Sequence, residues 1–275
     1  MTASLRPAAL AMALALAAAM APYAASASGL LAHRASYALS LDASKPSQKL
    51  DGADGRIDYE IKGNACEGYT VNLHQANNLD TGEGPSTRSD MLSSSWEDGN
   101  GDAYRFKTVN RTDGQVKSDV DAIATRTDQG VNVQITKPRH ESVELKGKIL
   151  MPTQHVLKVL AAAANGDSVF EATVFDGSDD GDKVYETLAV IGRPMKDAKN
   201  LPDAAKAALA GQTYYPVTVS YYEVGETGQT PAYVMSFTLY ENGVIGDLKI
   251  DYNDFVLRGS LDAFEVLKAG GACQK

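Results

Sequence analysis

Basic residues, histidines and cysteines are scarce in this chain of 275 residues, and each shortage excludes a class of protein. Lysine and arginine number 26 against 35 aspartates and glutamates, so the formal net charge is −9. Nucleic-acid binding needs a clustered basic surface, which this composition disfavours. Only four histidines are present, at positions 33, 74, 140 and 155. None lies three or four residues from another, so no helix can present a histidine pair to a metal.

Recognisable catalytic motifs are also missing. The chain has no G-x-S-x-G sequence and no glycine-rich phosphate-binding loop after a strand pattern. Two acidic turns, residues 98–102 and 176–182, are the remaining metal candidates. The second resembles a calcium loop, but Thr187 stands where such a loop requires a bidentate glutamate. We interpret both segments as solvated hairpin turns, and we predict no enzyme, no catalytic residue, no metal and no cofactor.

A long apolar run occurs only near the N-terminus. After Arg6, residues 8–21 are all alanine, leucine or methionine, and Ala25-Ser26-Ala27 places small residues at a cleavage position. Fourteen residues are too few to span a bilayer, which needs about 20. The pattern predicts a cleavable signal peptide over residues 1–27. We therefore expect a mature chain, residues 28–275, that does not span a membrane and resides in the periplasm of a Gram-negative bacterium.

Alternating apolar residues recur along the mature chain and predict β-strands. In His33–Leu41, for example, every second residue is apolar. Breaks rich in glycine and aspartate, such as residues 51–55 and Asn242-Gly243, indicate hairpin turns. The prediction is a single β-rich domain of roughly a dozen strands, in a large curled antiparallel sheet or two packed sheets. The other predicted strands include residues 56–62, 68–74, 104–108, 131–135, 169–175, 183–191, 214–223, 232–241, 246–252 and 254–259.

Helices are predicted to be few and short. Residues 153–165 have a helical apolar face, residues 202–210 are alanine-rich, and residues 261–268 have the spacing of a helical turn. Two tyrosine pairs, Tyr214-Tyr215 and Tyr221-Tyr222, lie in a predicted strand and therefore point one ring to each face. We expect one ring of each pair to line a concave surface or an exposed surface suited to a partner.

The chain has only two cysteines, Cys66 and Cys273. An exported protein meets an oxidising environment, in which paired thiols persist as disulfides. We favour an intramolecular Cys66–Cys273 bond, which closes a loop of about 200 residues and is worth about 5 kcal/mol in the chain-entropy model. The alternatives are two buried free thiols or an intermolecular pair.

Several short segments occur in a fixed order that is similar to one known family. They are Leu31-Ala32-His33-Arg34, Ala65-Cys66-Glu67-Gly68-Tyr69, Ser89-Asp90, Ser95-Trp96-Glu97, Met151-Pro152-Thr153-Gln154-His155, residues 175–185, residues 235–243 and Cys273. From about Leu31 to Cys273 the chain resembles the envelope integrity protein B family of alphaproteobacteria. The resemblance implies a periplasmic, all-β protein whose sheet curls into a spiral, an incomplete barrel, with one or two short helices.

The same resemblance implies a disulfide that joins an early strand to the C-terminus, and Cys66 and Cys273 match the family's cysteine pair. It also implies a role in maintaining the cell envelope, and it supplies no catalytic residues. Two functions therefore compete. The first is a non-enzymatic envelope factor that binds a periplasmic protein partner. The second is a carrier of a lipid or another amphiphile, since a curled sheet can enclose an apolar cavity.

The cysteine pairing generates a direct prediction. Thiol titration of the mature protein in denaturant should detect no thiol without reductant and two thiols after reduction. A peptide map should join Cys66 to Cys273 within one chain, and Cys66→Ser should fold but melt at a lower temperature. Two titratable thiols in the unreduced sample, or a dimer that reduction separates, would contradict the intramolecular bond.

Overall fold

The computed structural model describes residues 29–45, 47, 49–196, 201–225 and 230–271. The predicted signal peptide and Cys273 lie outside these residues. Within them the chain forms fifteen β-strands and two α-helices. The predicted all-β class is confirmed, with more strands than the dozen expected from the sequence.

The first nine strands precede the first helix. They are β1 (His33–Leu41), β2 (Gly52–Asn64), β3 (Gly68–Asp80), β4 (Thr87–Glu97), β5 (Ala103–Thr112), β6 (Gln115–Thr127), β7 (Gly130–Lys137), β8 (Glu141–Lys146) and β9 (Ile149–Leu150). Helix α1 (Pro152–Asn165) leads to β10 (Val169–Phe175) and β11 (Val184–Ile191). Helix α2 (Asp203–Leu209) precedes β12 (Tyr214–Glu223), β13 (Tyr233–Tyr240), β14 (Ile245–Asp251) and β15 (Val256–Val266).

All fifteen strands belong to one sheet, in the order β8-β7-β6-β5-β4-β3-β2-β1-β15-β14-β13-β12-β11-β10-β9. Neighbouring strands are antiparallel, except that β9 and β10 are parallel. The first and last strands pair with each other, from His33 opposite Val266 to Leu41 opposite Leu257. Among the described strands, β8 and β9 are therefore the two edges of the sheet, although only Gly147 and Lys148 separate them in sequence.

The predicted break at residues 51–55 is wrong, because β2 already begins at Gly52. Gly55 pairs with Asn77 of β3, and a Cβ at Gly55 would lie 2.4 Å from the Ala76 carbonyl oxygen. Glycine is needed at this position for close approach of two backbones, not for a turn. The same residue type can indicate either feature in a sequence, which is why the strand appeared shorter than it is.

The helical turn predicted at residues 261–268 is also wrong, since β15 continues to Val266. Tyr37 pairs with Leu261 while Ser36 pairs with Ala263, so Asp262 is an extra residue in β15. This β-bulge changes the phase of the strand by one residue. Leu261 and Phe264 can therefore both be buried at a spacing of three, which resembles a helical period in the sequence.

One end of the sheet lies inside the other, which makes the architecture a spiral. Tyr185 of β11 points to the inner face, so its neighbour Val184 and the cross-strand partner Phe175 point to the outer face. That outer face is nevertheless buried, because Phe175 packs against Tyr104 and Phe106 of β5 at ring-centroid distances of 6.2 and 5.8 Å. The inner face of β5–β8 thus covers the outer face of β10–β11.

Helix α1 fills the interior of this curled sheet. Val159 and Ala162 on one side of the helix pack into a cluster with inner residues of β11–β13. Leu157 packs on the other side, against Ile61 and Tyr69 of β2 and β3. The predicted helix is confirmed, and it lies between opposite walls of the spiral. The predicted second helix is α2, which buries two residues, Ala205 and Leu209, in a cluster with β1, β14 and β15.

The N-terminus of α1 is satisfied by a carboxylate from a distant strand. The residue before the helix is Met151, whose side chain makes no capping hydrogen bond. The backbone amides of Thr153 and Gln154 instead donate to the two carboxylate oxygens of Glu97, at 2.6 and 2.7 Å. Glu97 ends β4 and is only 2% exposed. A negative charge at a helix N-terminus also interacts favourably with the helix dipole.

The buried cap makes stability depend on pH. Burial raises the pKa of Glu97 to about 7 from 4.5, against the opposing effect of its hydrogen bonds to the Thr153 and Gln154 amides. The folded state then holds a proton that the unfolded state releases, so this group favours folding less as pH rises from about 4.5 to about 7. Relative to Glu97→Gln, the wild-type free energy of unfolding should fall by about 2–3 kcal/mol over this window.

Denaturant unfolding of both proteins between about pH 5 and about pH 8 measures this difference. Glu83→Gln, a change at an exposed position between β3 and β4, is the matched control and should leave the pH dependence unchanged. If the wild type instead gained stability relative to Glu97→Gln as pH rises, the attraction of the carboxylate to the helix N-terminus would outweigh the cost of burying its charge.

Candidate functional site

An interior cavity of about 330 Å³ lies beside the first turn of α1. Its walls are the inner faces of β2–β5, together with residues 176–179 and part of the segment from Gly243 to Ile245. Most lining side chains are apolar, among them Ile61, Val71, Leu73, Met91, Val120 and Val156, and the polar ones include Ser93, Ser95, Thr108 and Asn110. Such a composition is typical of sites that bind small apolar molecules, although the volume is at the low end of their range.

The polar end of the cavity is formed by the turn at residues 176–182. The prediction of a solvated turn is wrong for its first half, because Asp176, Gly177 and Ser178 line the cavity. Gly177 has φ +70°, and a Cβ there would lie 2.1 Å from the Phe106 ring, so only glycine lets the backbone pass beneath β5. Asp176 accepts a hydrogen bond from the Ser178 amide at 2.9 Å, and burial raises the pKa of Asp176.

A cluster of tyrosines lies on the inner face of β11–β13. Tyr221 and Tyr233 stack at 4.4 Å, and Tyr185 meets both rings edge-on at 5.8 and 5.7 Å. Tyr252 continues the cluster from Tyr233 at 6.4 Å. The prediction that Tyr221 and Tyr222 face opposite sides is confirmed, because Tyr222 borders an outer surface depression.

A second cavity, of about 270 Å³, lies beside the first along the inner face. Met91 and Asn110 line both cavities, and Tyr252, Phe255 and Leu257 close the second. The second cavity is also lined by Gln75, Asn77 and Ser89, so it is more polar than the first, which has the buried carboxyl group of Asp176 at one end.

No histidine, cysteine or lysine is among the described lining residues of either cavity. His155, the histidine nearest the start of α1, is 5% exposed, and its ring nitrogen Nε2 lies 3.3 Å from the Thr187 hydroxyl. Burial lowers the pKa of His155 to about 4, so the ring is neutral at ordinary pH. It packs against Phe170, a role that is structural.

A groove of about 610 Å³ separates the edge strand β8 from β10–β12, and we call it the seam. Leu145, Ile149 and Val184 contribute apolar side chains to it, while Glu144, Lys146, Asp182, Lys183, Glu186 and Glu223 provide its charged side chains. Arg139 bridges the two sides at one end, since its guanidinium binds Glu141 of β8 and Asp182 across the gap, the latter at 2.7 Å. The seam is thus a defined channel at the place where the sheet does not close.

Cys66 lies in the turn between β2 and β3, where its amide donates to the Asn64 side-chain oxygen at 2.8 Å. The Asn64 amide group in turn donates to the Gly271 carbonyl at 2.9 Å, and the Gly271 amide donates to Glu67 at 3.3 Å. Gly271 is the last described residue, and two further residues span at most about 7 Å. The Cys66–Cys273 bond remains a prediction, because Cys273 lies outside the described residues.

Comparison with known proteins places these features in a family. The family model described as EipB-like matches residues 24–268. This chain belongs to the EipB-like family. A curated relative, the cell envelope integrity protein EipB of Brucella abortus (strain 2308), is 34% identical over 252 residues, which cover 90% of this chain and 88% of the relative.

A solved structure agrees with the fold. The crystal structure of a beta-barrel-like protein from Brucella abortus, with a domain of unknown function, matches this chain with a TM-score of 0.81 and 31% identity. The match covers 87% of this chain and 99% of that protein. Both helices of the described part are too short or too polar to cross a bilayer.

Proposed function

We propose that this protein supports the integrity of the cell envelope without catalysis, by binding a periplasmic protein partner. The relative named as a cell envelope integrity protein, which aligns over most of both chains, supports the envelope role. The observation that carries partner binding is the seam, a channel beside an edge strand that pairs only with β7 among the described strands. Unpaired strand edges are a common place for a partner to bind.

The location is part of this proposal. Residues 1–27 act as a cleavable export signal, and residues 28–275 form one β-rich domain in the periplasm. The positive charge of Arg6, the apolar run before Pro22 and the small residues before Ser28 support export. In that compartment the Cys66–Cys273 disulfide forms and stabilises the exported chain.

A deletion strain tests the proposed role. It should grow nearly normally in rich medium but become sensitive to detergents, bile-type amphiphiles and envelope-targeting antibiotics. Expression of the wild type should restore resistance, and so should Asp176→Asn and Ser178→Ala, because neither cavity residue performs catalysis. Resistance lost in one of these variants, with melting temperature and protein level unchanged, would mean that the function depends on the cavity, through catalysis or through binding of an amphiphile, and not on the seam alone. A deletion strain with unaltered sensitivity would contradict the envelope role itself.

The interior cavity favours a second candidate function, that of a carrier for a lipid or another amphiphile. Its mainly apolar lining, with the carboxyl group of Asp176 at one end, suits an aliphatic chain that ends in a polar group. The neighbouring residues Ser93 and Ser94 of β4 provide a matched pair of variants, because strand neighbours point to opposite faces. Ser93 lines the interior cavity, whereas Ser94 lines a depression on the outer face.

Organic extraction of the purified wild type, followed by mass spectrometry, should then detect a bound amphiphile. Ser93→Phe fills the cavity and should abolish the signal, whereas Ser94→Phe should retain it. An empty wild-type extract would contradict the carrier function. A Ser93→Phe variant that loses the amphiphile but fully restores resistance in the deletion strain would also contradict the carrier function.

A further inference from the structure

The edge of β8 presents a regular set of unpaired backbone groups to the seam. Just beyond the end of the β7–β8 ladder, the Gly147 amide donates to the Gln129 carbonyl at 2.9 Å, so Gly147 and Gln129 form a hydrogen-bonded pair. Hydrogen-bonded and non-hydrogen-bonded pairs alternate along an antiparallel ladder. From the register, Lys146, Glu144 and Ser142 fall in the non-hydrogen-bonded pairs. Their amides and carbonyls therefore point away from β7.

The free edge of β8, of which residues 144–146 line the seam, has the length of a short extended segment. β8 has six residues and is about 20 Å long, which matches a peptide of about six residues in strand conformation. Arg139 bounds one end of the channel through its ion pairs with Glu141 and Asp182. At the other end the Arg126 guanidinium donates to the Ile149 carbonyl at 3.0 Å, which holds the start of β9.

The two faces of an added strand would meet different surroundings. Leu145 and Val184 are half-buried, and Ile149 is buried, so the inner side of the channel is apolar. Glu144 and Glu186 are exposed on its outer side. Side chains of a strand alternate between faces, so the complementary occupant alternates apolar residues with polar ones.

The net negative charge around the seam favours basic residues at the polar positions of the occupant. Along the seam and the adjoining outer depression, five acids (Glu144, Glu171, Asp182, Glu186 and Glu223) stand against three bases (Lys146, Lys148 and Lys183), for a net charge of −5 + 3 = −2. Asp182 and Glu223 already pair with Arg139 and Lys183. Glu171 and Glu186 form no ion pair within the described part of the chain, so they are available to cations of a partner.

We propose that the seam binds an extended segment of a partner protein, with lysine or arginine alternating with apolar residues, as an additional strand against β8. The inference rests on the proposed function, since it specifies how a periplasmic partner is bound. A second copy of this chain is a poorer occupant, because its own β8 carries Glu141 and Glu144 and the whole chain has a net charge of −9.

Synthetic peptides test the proposal on the intact mature protein. The probe is an acetylated and amidated peptide of about eight residues, alternating lysine and valine, and its counterpart replaces lysine with glutamate. Fluorescence anisotropy should show binding of the lysine peptide and at least about tenfold weaker binding of the glutamate peptide. Hydrogen exchange should slow at the amides of Ser142, Glu144 and Lys146 when the lysine peptide is bound.

Two pairs of variants separate backbone pairing from charge. Glu144→Pro removes one outward amide without removing a backbone hydrogen bond to β7, whereas Glu144→Ala removes only the side chain. Both variants lose the hydrogen bond that the Asn132 side chain donates to Glu144, so that loss cancels in the comparison. The proline variant should bind the lysine peptide about tenfold more weakly than the alanine variant, at matched melting temperatures. Glu186→Lys should also weaken binding, whereas the same charge change at exposed Glu83→Lys, between β3 and β4, should not.

Three results would overturn the proposal. The first is binding without protection of the three β8 amides, which would indicate general attraction to an acidic protein. The second is an equal loss in Glu83→Lys and Glu186→Lys. The third is that, in the absence of peptide, protection of those amides increases with protein concentration. This result would identify a second copy of the chain as the occupant. None of these results bears on the sensitivity of the deletion strain, so failure here is distinguishable from failure of the envelope role.

Discussion

The carboxylate of Glu97 at the N-terminus of α1 is the interaction on which the interior arrangement depends. A helix that begins inside a curled sheet cannot rely on water for its first amides, and Met151 cannot cap it. Glu97 accepts from two of these amides and ties the helix to the end of β4. With its start fixed, α1 packs between β2–β3 and β11–β13, and the space left beside its first turn is the cavity.

On the outside of the protein, the overlap of the two ends of the sheet around Phe175 leaves a strand edge unpaired. A sheet that ran into its own first edge would close and leave no backbone group unpaired. Here β10 and β11 pass beneath β5–β8, with Phe175 buried and Val184 half-buried, so β8 remains an edge above them. The same packing that stabilises the spiral therefore creates the seam, and it also buries Asp176 and Gly177 next to Phe106.

Local patterns predicted much of the fold, and long-range packing explains what they missed. β1 has the predicted bounds because it alternates between buried and exposed residues, and β12 has them because Tyr215, Val217 and Val219 are buried at every second position. β4 went unrecognised, since Ser93 and Ser95 face a cavity and interrupt the apolar alternation. The role of Glu97 depends on a distant helix, because Thr153, whose amide it binds, lies 56 residues further along the chain. No local signal distinguishes such a cap from a surface glutamate.

The pairing of β1 with β15 determines how the sheet can assemble. Every other pair of adjacent strands in the sheet is consecutive in sequence, and all of these pairs except β9–β10 are antiparallel, so most hairpins can form from nearby residues. The two halves of the sheet join only through strands at opposite ends of the chain, a pairing that is costly in loop entropy and slow to form. The sheet can therefore be completed only after the C-terminal strand has been synthesised, and truncation before Val256 would separate the halves rather than shorten an edge.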